Sequence, residues 1–297
     1  MNAACLQAFL SCFLVISSAL PIQGKDQATH VVLRPVVNLY SAPREDTDVV
    51  SQALLGAQLV EIERKGDWAR IKGEDDYPGW IQLSALRVLN AKERYPASME
   101  SGKVVEVEAL GANLYLEPDL TKHAPVMTAP YGVRLERVNG GKDTKRWLEI
   151  KLPDTRIVWI QSGDVRTELK PLSLEASLGL AKRFMGINYT WGGTSSFGFD
   201  CSGFTQMILR SRGVTMPRDA DIQAAWPGFA QVKERSQLLP GDLLFFGGDQ
   251  GKITHTGMYL GDGSFIHDTT RDRPCVQVSE LGDPYWSKLL VAMRRIK

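Results

Sequence analysis

Between residues 31 and 163 the chain repeats itself. Asn38, Leu39, Tyr40 and Pro43 return as Asn113, Leu114, Tyr115 and Pro118, an offset of 75. Trp68 and Ile71 return as Trp147 and Ile150, and Trp80, Ile81 and Gln82 as Trp159, Ile160 and Gln161, both at offset 79. A constant order with a small drift means a duplicated domain with one loop insertion. Each copy holds short alternating stretches, such as residues 58–63 and 68–72, broken by Gly, Asp and Pro, a pattern that suits a small β-barrel. The period is too long for a solenoid, whose repeats run roughly 20–50 residues.

The chemistry is concentrated after the repeat. Residues 189–204 read Y-T-W-G-G-T-S-S-F-G-F-D-C-S-G-F. Loop formers precede Cys201, and Phe204, Met207 and Ile208 follow it at helical spacing. Cys201 therefore stands where a glycine-rich loop becomes a buried helix, with Asp200 as the natural N-cap. The positive end of a helix dipole favours thiolate, the nucleophilic form. A small buried hydrophobe is the alternative reading of a single cysteine.

Residues 252–268 read K-I-T-H-T-G-M-Y-L-G-D-G-S-F-I-H-D, two strands around a G-D-G turn. With a three-residue loop, Leu260 faces Ser264 and Gly257 faces His267. His255 and His267 then share a face, diagonal neighbours roughly 7–8 Å apart at Cα. Met258, Leu260 and Ile266 fall on the other face. A two-residue loop would put the histidines on opposite faces. Thiolate, base and orienting group make an activated nucleophile.

Y-x-W-G-G, D-C-S-G-F, G-D-L-L-F-F and H-x-G-x-Y-L-G followed by F-I-H occur in this order within residues 174–295. At these residues the chain resembles the NlpC family of papain-like cysteine peptidases, and its repeat resembles the paired bacterial SH3-like domains of one branch. The resemblance implies an α+β architecture: two SH3-like β-barrels, then a papain-like domain with helices packed on an antiparallel sheet. It also implies hydrolysis of cell-wall stem peptides between D-glutamate and the diamino acid. Cys201 looks like the nucleophile, His255 the base, His267 the third polar residue, and Tyr189 the tyrosine that supports the oxyanion. Trp191, Asp200, Ser202, Arg218 and Asp219 are the further oxyanion or substrate candidates; Arg218 suits a carboxylate. Close relatives often carry Ser where this chain has Ala220.

In that branch the first barrel leans over the cleft and admits peptides with a free N-terminal L-alanine. The terminal ammonium needs a carboxylate or a hydrogen-bonding partner, and Asp200 is one candidate. Tyr77 and Asp48 are the barrel candidates. The second copy has Arg156 where the first has Tyr77, so only the first copy is expected to face substrate.

Residues 1–24 carry no charged side chain, and residues 9–20 are an apolar run too short to span a membrane. They read as a signal peptide, with export to the periplasm or cell envelope; an uncleaved anchor is the alternative. Cys5 and Cys12 fall there, leaving Cys201 and Cys275. Cys275 is read as a structural thiol, since a disulfide would silence Cys201. A zinc site from Cys201, His255, His267 and Cys275 lacks the short paired ligand spacing of such sites. No cofactor or metal is expected. With 35 Lys plus Arg against 34 Asp plus Glu, nothing pulls the chain toward nucleic acid.

The expected divisions are residues 30–90 and 100–166 for the barrels and 172–297 for the peptidase domain, in a monomer, with polar linkers at 90–98 and 166–173. A first peptidase helix is expected with Ser173 as N-cap and a stripe of Leu174, Leu178, Ala181 and Met185. Two other classes remain open: a wall-binding tandem with an inactive peptidase domain, and a papain-like amidase or acyltransferase. An inactive domain would be expected to lack a triad residue, and this chain keeps all three.

Overall fold

The computed structural model describes residues 27–248 and 251–297. The expected signal segment lies outside the described residues. Seven strands form the first module: β1 (His30–Val32), β2 (Val36–Tyr40), β3 (Val49–Leu54), β4 (Gln58–Lys65), β5 (Trp68–Lys72), β6 (Pro78–Gln82) and β7 (Leu86–Val88). Seven more follow: β8 (Val104–Val107), β9 (Gly111–Tyr115), β10 (Met127–Pro130), β11 (Arg134–Arg137), β12 (Trp147–Lys151), β13 (Ile157–Gln161) and β14 (Val165–Arg166).

The spatial order is β3-β2-β6-β5-β4-β1-β7 in the first module and β10-β9-β13-β12-β11-β8-β14 in the second, the same order displaced by seven strands. The repeated residues explain the match. Tyr40 meets Trp68 edge to face at 5.6 Å, and Tyr115 meets Trp147 in the same way at 5.6 Å. Alternation buries Ala69 and Ile71 on β5, and Leu148 and Ile150 on β12.

The last part begins with α1 (Leu174–Arg183), capped by Ser173 as expected, whose Oγ accepts from the Ala176 N–H. Its buried stripe is Ser177, Leu180 and Ala181, continued by Phe184. The expected stripe is offset: Leu174 and Met185 are exposed, because Phe184 sets the buried face by packing on Tyr131, Phe199 and Phe204. A small hairpin, β15 (Thr194–Ser195) and β16 (Gly198–Phe199), leads into α2 (Cys201–Ser211) and then α3 (Ala220–Ala225). The remaining elements are β17 (Phe229–Gln231), β18 (Leu243–Gly247), β19 (Ile253–Gly261), β20 (Ser264–Thr269), β21 (Cys275–Glu280), α4 (Pro284–Leu289) and β22 (Leu290–Ile296). They build an antiparallel sheet in the order β17-β22-β18-β19-β20-β21, with helices against it.

The three parts are joined unequally. The first module has a core of its own around Val32, Leu59, Ile71 and Ile81. The second shares one continuous apolar cluster with α1, α2 and the sheet, running from Val105, Leu114 and Leu135 to Phe184, Phe204, Met258 and Ile266. The linker expected at 90–98 is docked rather than free: Tyr95 is buried and donates to the Lys151 carbonyl of β12 at 2.7 Å. No helix among the described residues is long and apolar enough to cross a membrane.

Candidate active site

Asp200 caps α2 as its sequence position implies, accepting from the Gly203 N–H at 2.7 Å and, with its other oxygen, from the Gly192 N–H at 3.1 Å. Two glycines make this approach possible. A Cβ on Gly203 would stand 2.1 Å from the Gly193 carbonyl oxygen. One on Gly192, at φ +75°, would stand 2.6 Å from the Val49 carbonyl oxygen of the first module. Cys201 is buried as the first residue of α2.

The resting sulfur is a thiol, against the expectation from the helix dipole. Burial pushes it up to about 12, and the Asp200 carboxylate pushes the same way, while the Thr256 N–H, Arg218 and the Ser202 N–H pull back. Desolvation outweighs the partial charge of a helix end when the site is closed.

The histidine hairpin keeps the expected register by a different turn. Gly261 pairs with Ser264, leaving Asp262 and Gly263, at φ +50° and +80°, as a two-residue turn. A bulge after Tyr259 absorbs the extra residue, so Met258 faces Ile266 and both join the core beside Leu260. Gly257 lies against His267, where an added Cβ would come within 3.0 Å of the His267 Cβ.

His255 Nε2 and His267 Nδ1 share a hydrogen bond of 2.7 Å, and His267 Nε2 meets Ser279 Oγ at 3.0 Å. His255 Nδ1 is left for another partner. Trp286 of α4 stacks on the His255 ring at 5.2 Å and meets His267 edge to face at 4.8 Å; Phe246 and Phe265 close the cage. Burial holds His255 down at about 4, opposed by Asp200. Burial, and then the charge of His255, hold His267 at about 2. Both rings are neutral near pH 7.

Arg218 corrects an expectation. Its guanidinium is fully buried and forks onto Asp200, with Nη1 to Oδ1 at 3.0 Å and Nη2 to Oδ2 at 2.5 Å. Nη1 also donates to Ser202 Oγ at 2.7 Å and Nε to Ser51 Oγ of β3 at 3.2 Å. With this fork made, Arg218 presents no free fork to a substrate carboxylate. Asp200, accepting from Gly203, Ser202, Gly192 and Arg218, has little left for an ammonium.

Asp219 is different: Tyr77 of the first module donates to its Oδ2 at 3.0 Å. Burial pushes Asp219 up; burial and then the Asp219 charge push Tyr77 up to about 12. Asp48 is exposed next to Val49, the residue against Gly192. Trp191 stands 69% exposed at the rim. Tyr189 is half-buried and raised by burial first and by the charge of Cys201 next. Cys201 and Cys275 are both free thiols.

Sequence reasoning missed Ser279, Trp286, Ser51 and Gln52. Of these only Ser279 left a local signal, the alternation of Val276 and Val278 with Gln277 and Ser279 on a strand that pairs with β20.

Known proteins resemble this chain in the same regions. The NlpC/P60 family matches residues 186–295, and the bacterial dipeptidyl-peptidase Sh3 domain matches residues 39–86. The chain is 34% identical over 263 residues, 82% of its length and 74% of the relative's, to a gamma-D-glutamyl-L-lysine dipeptidyl-peptidase of Bacillus cereus. The chain belongs to the NlpC/P60 family. A Bacillus subtilis protein of the same name is 26% identical, over 84% of this chain and 82% of the relative. The crystal structure of an NlpC/P60 family protein from Bacillus cereus superposes with a TM-score of 0.76 at 25% identity, covering 91% of this chain and 99% of that one. This NlpC/P60 chain therefore carries a papain-like fold preceded by a dipeptidyl-peptidase SH3 domain.

Proposed function

We propose that the protein is a cysteine peptidase that hydrolyses the γ-D-glutamyl–diamino acid bond of peptidoglycan stem peptides bearing a free N-terminal L-alanine. The observation that carries this reading is the His255–His267–Ser279 hydrogen-bond chain on strands packed against α2, the helix that Cys201 begins. Two relatives named for γ-D-glutamyl-L-lysine dipeptidyl-peptidase activity support the substrate class.

The mechanism needs one tautomer, which the two hydrogen bonds allow. His255 carries its proton on Nε2 and donates to His267 Nδ1; His267 Nε2–H donates to Ser279 Oγ. His255 Nδ1 then takes the Cys201 proton as the sulfur attacks the γ-carbonyl carbon. The negative charge moves to the carbonyl oxygen, supported by the Tyr189 O–H and backbone N–H groups. Collapse breaks the C–N bond, and His255 returns the proton to the leaving amine. Water, deprotonated by His255, releases the acyl group and restores the thiol. A neutral thiol beside a neutral imidazole suits this sequence, because charge separates only when substrate is present.

The Tyr77–Asp219 pair supports recognition of the substrate ammonium, with Asp48 at the rim, and replaces Asp200 in that role. The second module is read as a second SH3-like domain, on its matching strand order and Tyr–Trp pair. Its bounds are residues 100–166, between a first domain at 30–90 and a peptidase domain at 172–297. The chain is read as exported and monomeric.

The test is mass spectrometry of products from free L-Ala-γ-D-Glu-L-Lys and meso-diaminopimelate peptides, their N-acetylated forms, and intact wall. Cleavage of the free peptides, lost in Cys201→Ala and unaffected by a chelator, is expected. Equal cleavage of the acetylated forms would remove the free-amine restriction, and full activity in Cys201→Ala would end the cysteine mechanism.

A further inference from the structure

Arg218, the arginine beside the nucleophile, has its fork occupied by Asp200. Another arginine, Arg271, stands on the far side of the histidines. It belongs to residues 270–274, T-R-D-R-P, which join β20 to β21. Strand pairing runs as far as Thr269 opposite Cys275, so the connection is short. It is pinned along its length. The Arg271 N–H donates to Thr269 Oγ1 at 3.2 Å. Gln277 Nε2 donates to the Arg271 carbonyl at 2.9 Å and to the Arg273 carbonyl at 2.7 Å. The Tyr189 N–H donates to the Pro274 carbonyl at 3.0 Å.

Antiparallel pairing brings this loop to the reactive end of the sheet. Met258 lies opposite Ile266, so the end of β20 runs beside the start of β19, where His255 stands. From there Arg271 reaches α4. Its Cζ lies 3.7 Å from the centre of the Tyr285 ring. Tyr285 meets Trp286 edge to face at 4.9 Å, and Trp286 stacks on His255 at 5.2 Å. The cation therefore sits two aromatic rings out from the base, on a shelf whose Tyr285 is 44% exposed. Contact with a ring face holds a guanidinium in place without using its N–H groups.

Those N–H groups make no hydrogen bond among the described residues, and Nε is buried without a partner. Asp272 Oδ2 comes to 3.4 Å from Nε, but the Asp272 side chain is 74% exposed, and such a surface pair contributes little. The Nη edge remains for a planar anion, which an arginine takes bidentately. The sheet order says which part of the substrate meets it. The substrate amine is read at Tyr77 and Asp219, at the start of α3, which packs on β19 and β22. In the sheet, β22 lies to one side of β19, and β20 and β21 lie to the other. Arg271 is thus across β19 from the amine end, on the side where the leaving group departs.

We propose that Arg271 is a specificity-determining residue of the leaving-group side, binding a carboxylate of the departing diamino acid. This rests on the γ-D-glutamyl–diamino acid reading above. Every such leaving group has an α-carboxylate, free when the peptide ends there. A meso-diaminopimelate residue adds another at the far end of its side chain. The contact exists before and during reaction, so it lowers KM and leaves kcat alone.

The experiment measures kcat, KM and Tm for wild type, Arg271→Gln, Arg271→Lys and Arg273→Gln. Four peptides are used: L-Ala-γ-D-Glu-L-Lys, its C-terminal amide, and the meso-diaminopimelate peptide amidated at the α-carboxyl alone or at both carboxyls. On a peptide with the recognised carboxylate, Arg271→Gln should raise KM about ten- to a hundredfold, the loss of a charged hydrogen-bonded contact, with kcat and Tm little changed. On the matching amide it should change nothing. Arg271→Lys keeps the charge without the fork and should recover part of the loss. Arg273→Gln, exposed on the same loop, should behave as wild type. An effect that separates the L-Lys acid from its amide supports the inference with the α-carboxylate as ligand. One that separates the two meso-diaminopimelate amides supports it with the far carboxylate. Equal KM changes on all four peptides, or none on any, overturn the inference alone. So does an Arg273→Gln effect as large as that of Arg271→Gln. A wild type that cleaves none of the four sinks the substrate reading and the inference with it.

Discussion

The two β-modules share a strand order and a Tyr–Trp pair, yet they meet the peptidase domain in different ways. The first is attached chiefly by polar contacts, Tyr77 to Asp219, Ser51 to Arg218, Gln52 to Thr194, and Asp75 to Gln206, while Leu54 of β3 and Leu55 after it join the shared apolar cluster. The second is fused to it by apolar ones, including Tyr131 against Phe184 at 5.4 Å and a core that continues into α1 and α2. Even the cysteine loop divides this way. Gly192 and Thr194 lie on the first module, while Ser196 and Phe197 lie on the second. A polar seam costs little to rearrange and can present groups to a ligand; an apolar seam sets stability. On the proposed function the duplicated modules divide the work, recognition falling to the first and support to the second.

The most damaging way to test this division is to open the apolar seam. Phe184→Ala removes a fully buried ring that touches Tyr131, Phe199 and Phe204. A loss of about 3–5 kcal/mol is expected, with the second module and the peptidase domain unfolding in one calorimetric transition. Two separate transitions would mean that the shared core does not couple them.

The polar seam should respond in specificity instead. Tyr77→Phe removes the O–H that meets Asp219. On a free-amine peptide kcat/KM should fall about ten- to a hundredfold, the loss of one hydrogen bond to a charged group. The N-acetylated peptide should be affected far less, and Tm should barely move. A large drop in Tm would place Tyr77 among the structural contacts.

A third effect lies in neither seam and gives a reference for both. His255 and His267 are held below their usual range, so between pH 6.5 and about 4 the unfolded chain binds protons that the native chain does not. Stability from these groups is present above pH 6.5 and is lost as pH falls. Tm at pH 5 should lie below Tm at pH 7, and the difference should shrink in His267→Asn. An unchanged difference would assign the acid instability to other groups.

Local patterns made the geometry of the candidate site legible. The N-cap of α2, the two histidines on one face and the duplicated strands all follow from residues close together in sequence. The turn at Asp262 was misread, but the bulge restored the register because Met258 and Ile266 had to face the core. What escaped depends on distant pairs. Arg218 looked like a free carboxylate binder because nothing near it in sequence reveals that Asp200 and Ser51 occupy it. Helix α1 was rotated from its expected stripe because Phe184, one residue past its end, finds partners in three other segments.

The smallest expected effects come from the cysteine loop, where the two modules can be compared residue against residue. Ser196 Oγ donates to the Leu110 carbonyl at 2.5 Å and accepts from the Tyr131 N–H at 2.9 Å, so one hydroxyl satisfies two backbone groups of the second module. Ser196→Ala leaves both without it and should cost about 1–3 kcal/mol. Gln52 Oε1 accepts from the Thr194 N–H at 3.0 Å at a partly exposed site. Water can replace that acceptor in Gln52→Ala, so the cost should stay near 0.5–1.5 kcal/mol. The kinetic signatures should differ as well. Ser196→Ala loosens the loop that carries Asp200 and Cys201, so kcat should fall on free and N-acetylated peptides alike. Gln52→Ala loosens only the first module, so KM should rise a few-fold for the free-amine peptide alone. Denaturant titration with paired kinetics on both peptides reads all four quantities. If Gln52→Ala proves the more destabilising, or if its KM effect is equal on the two peptides, the assignment of recognition to one module and support to the other is wrong.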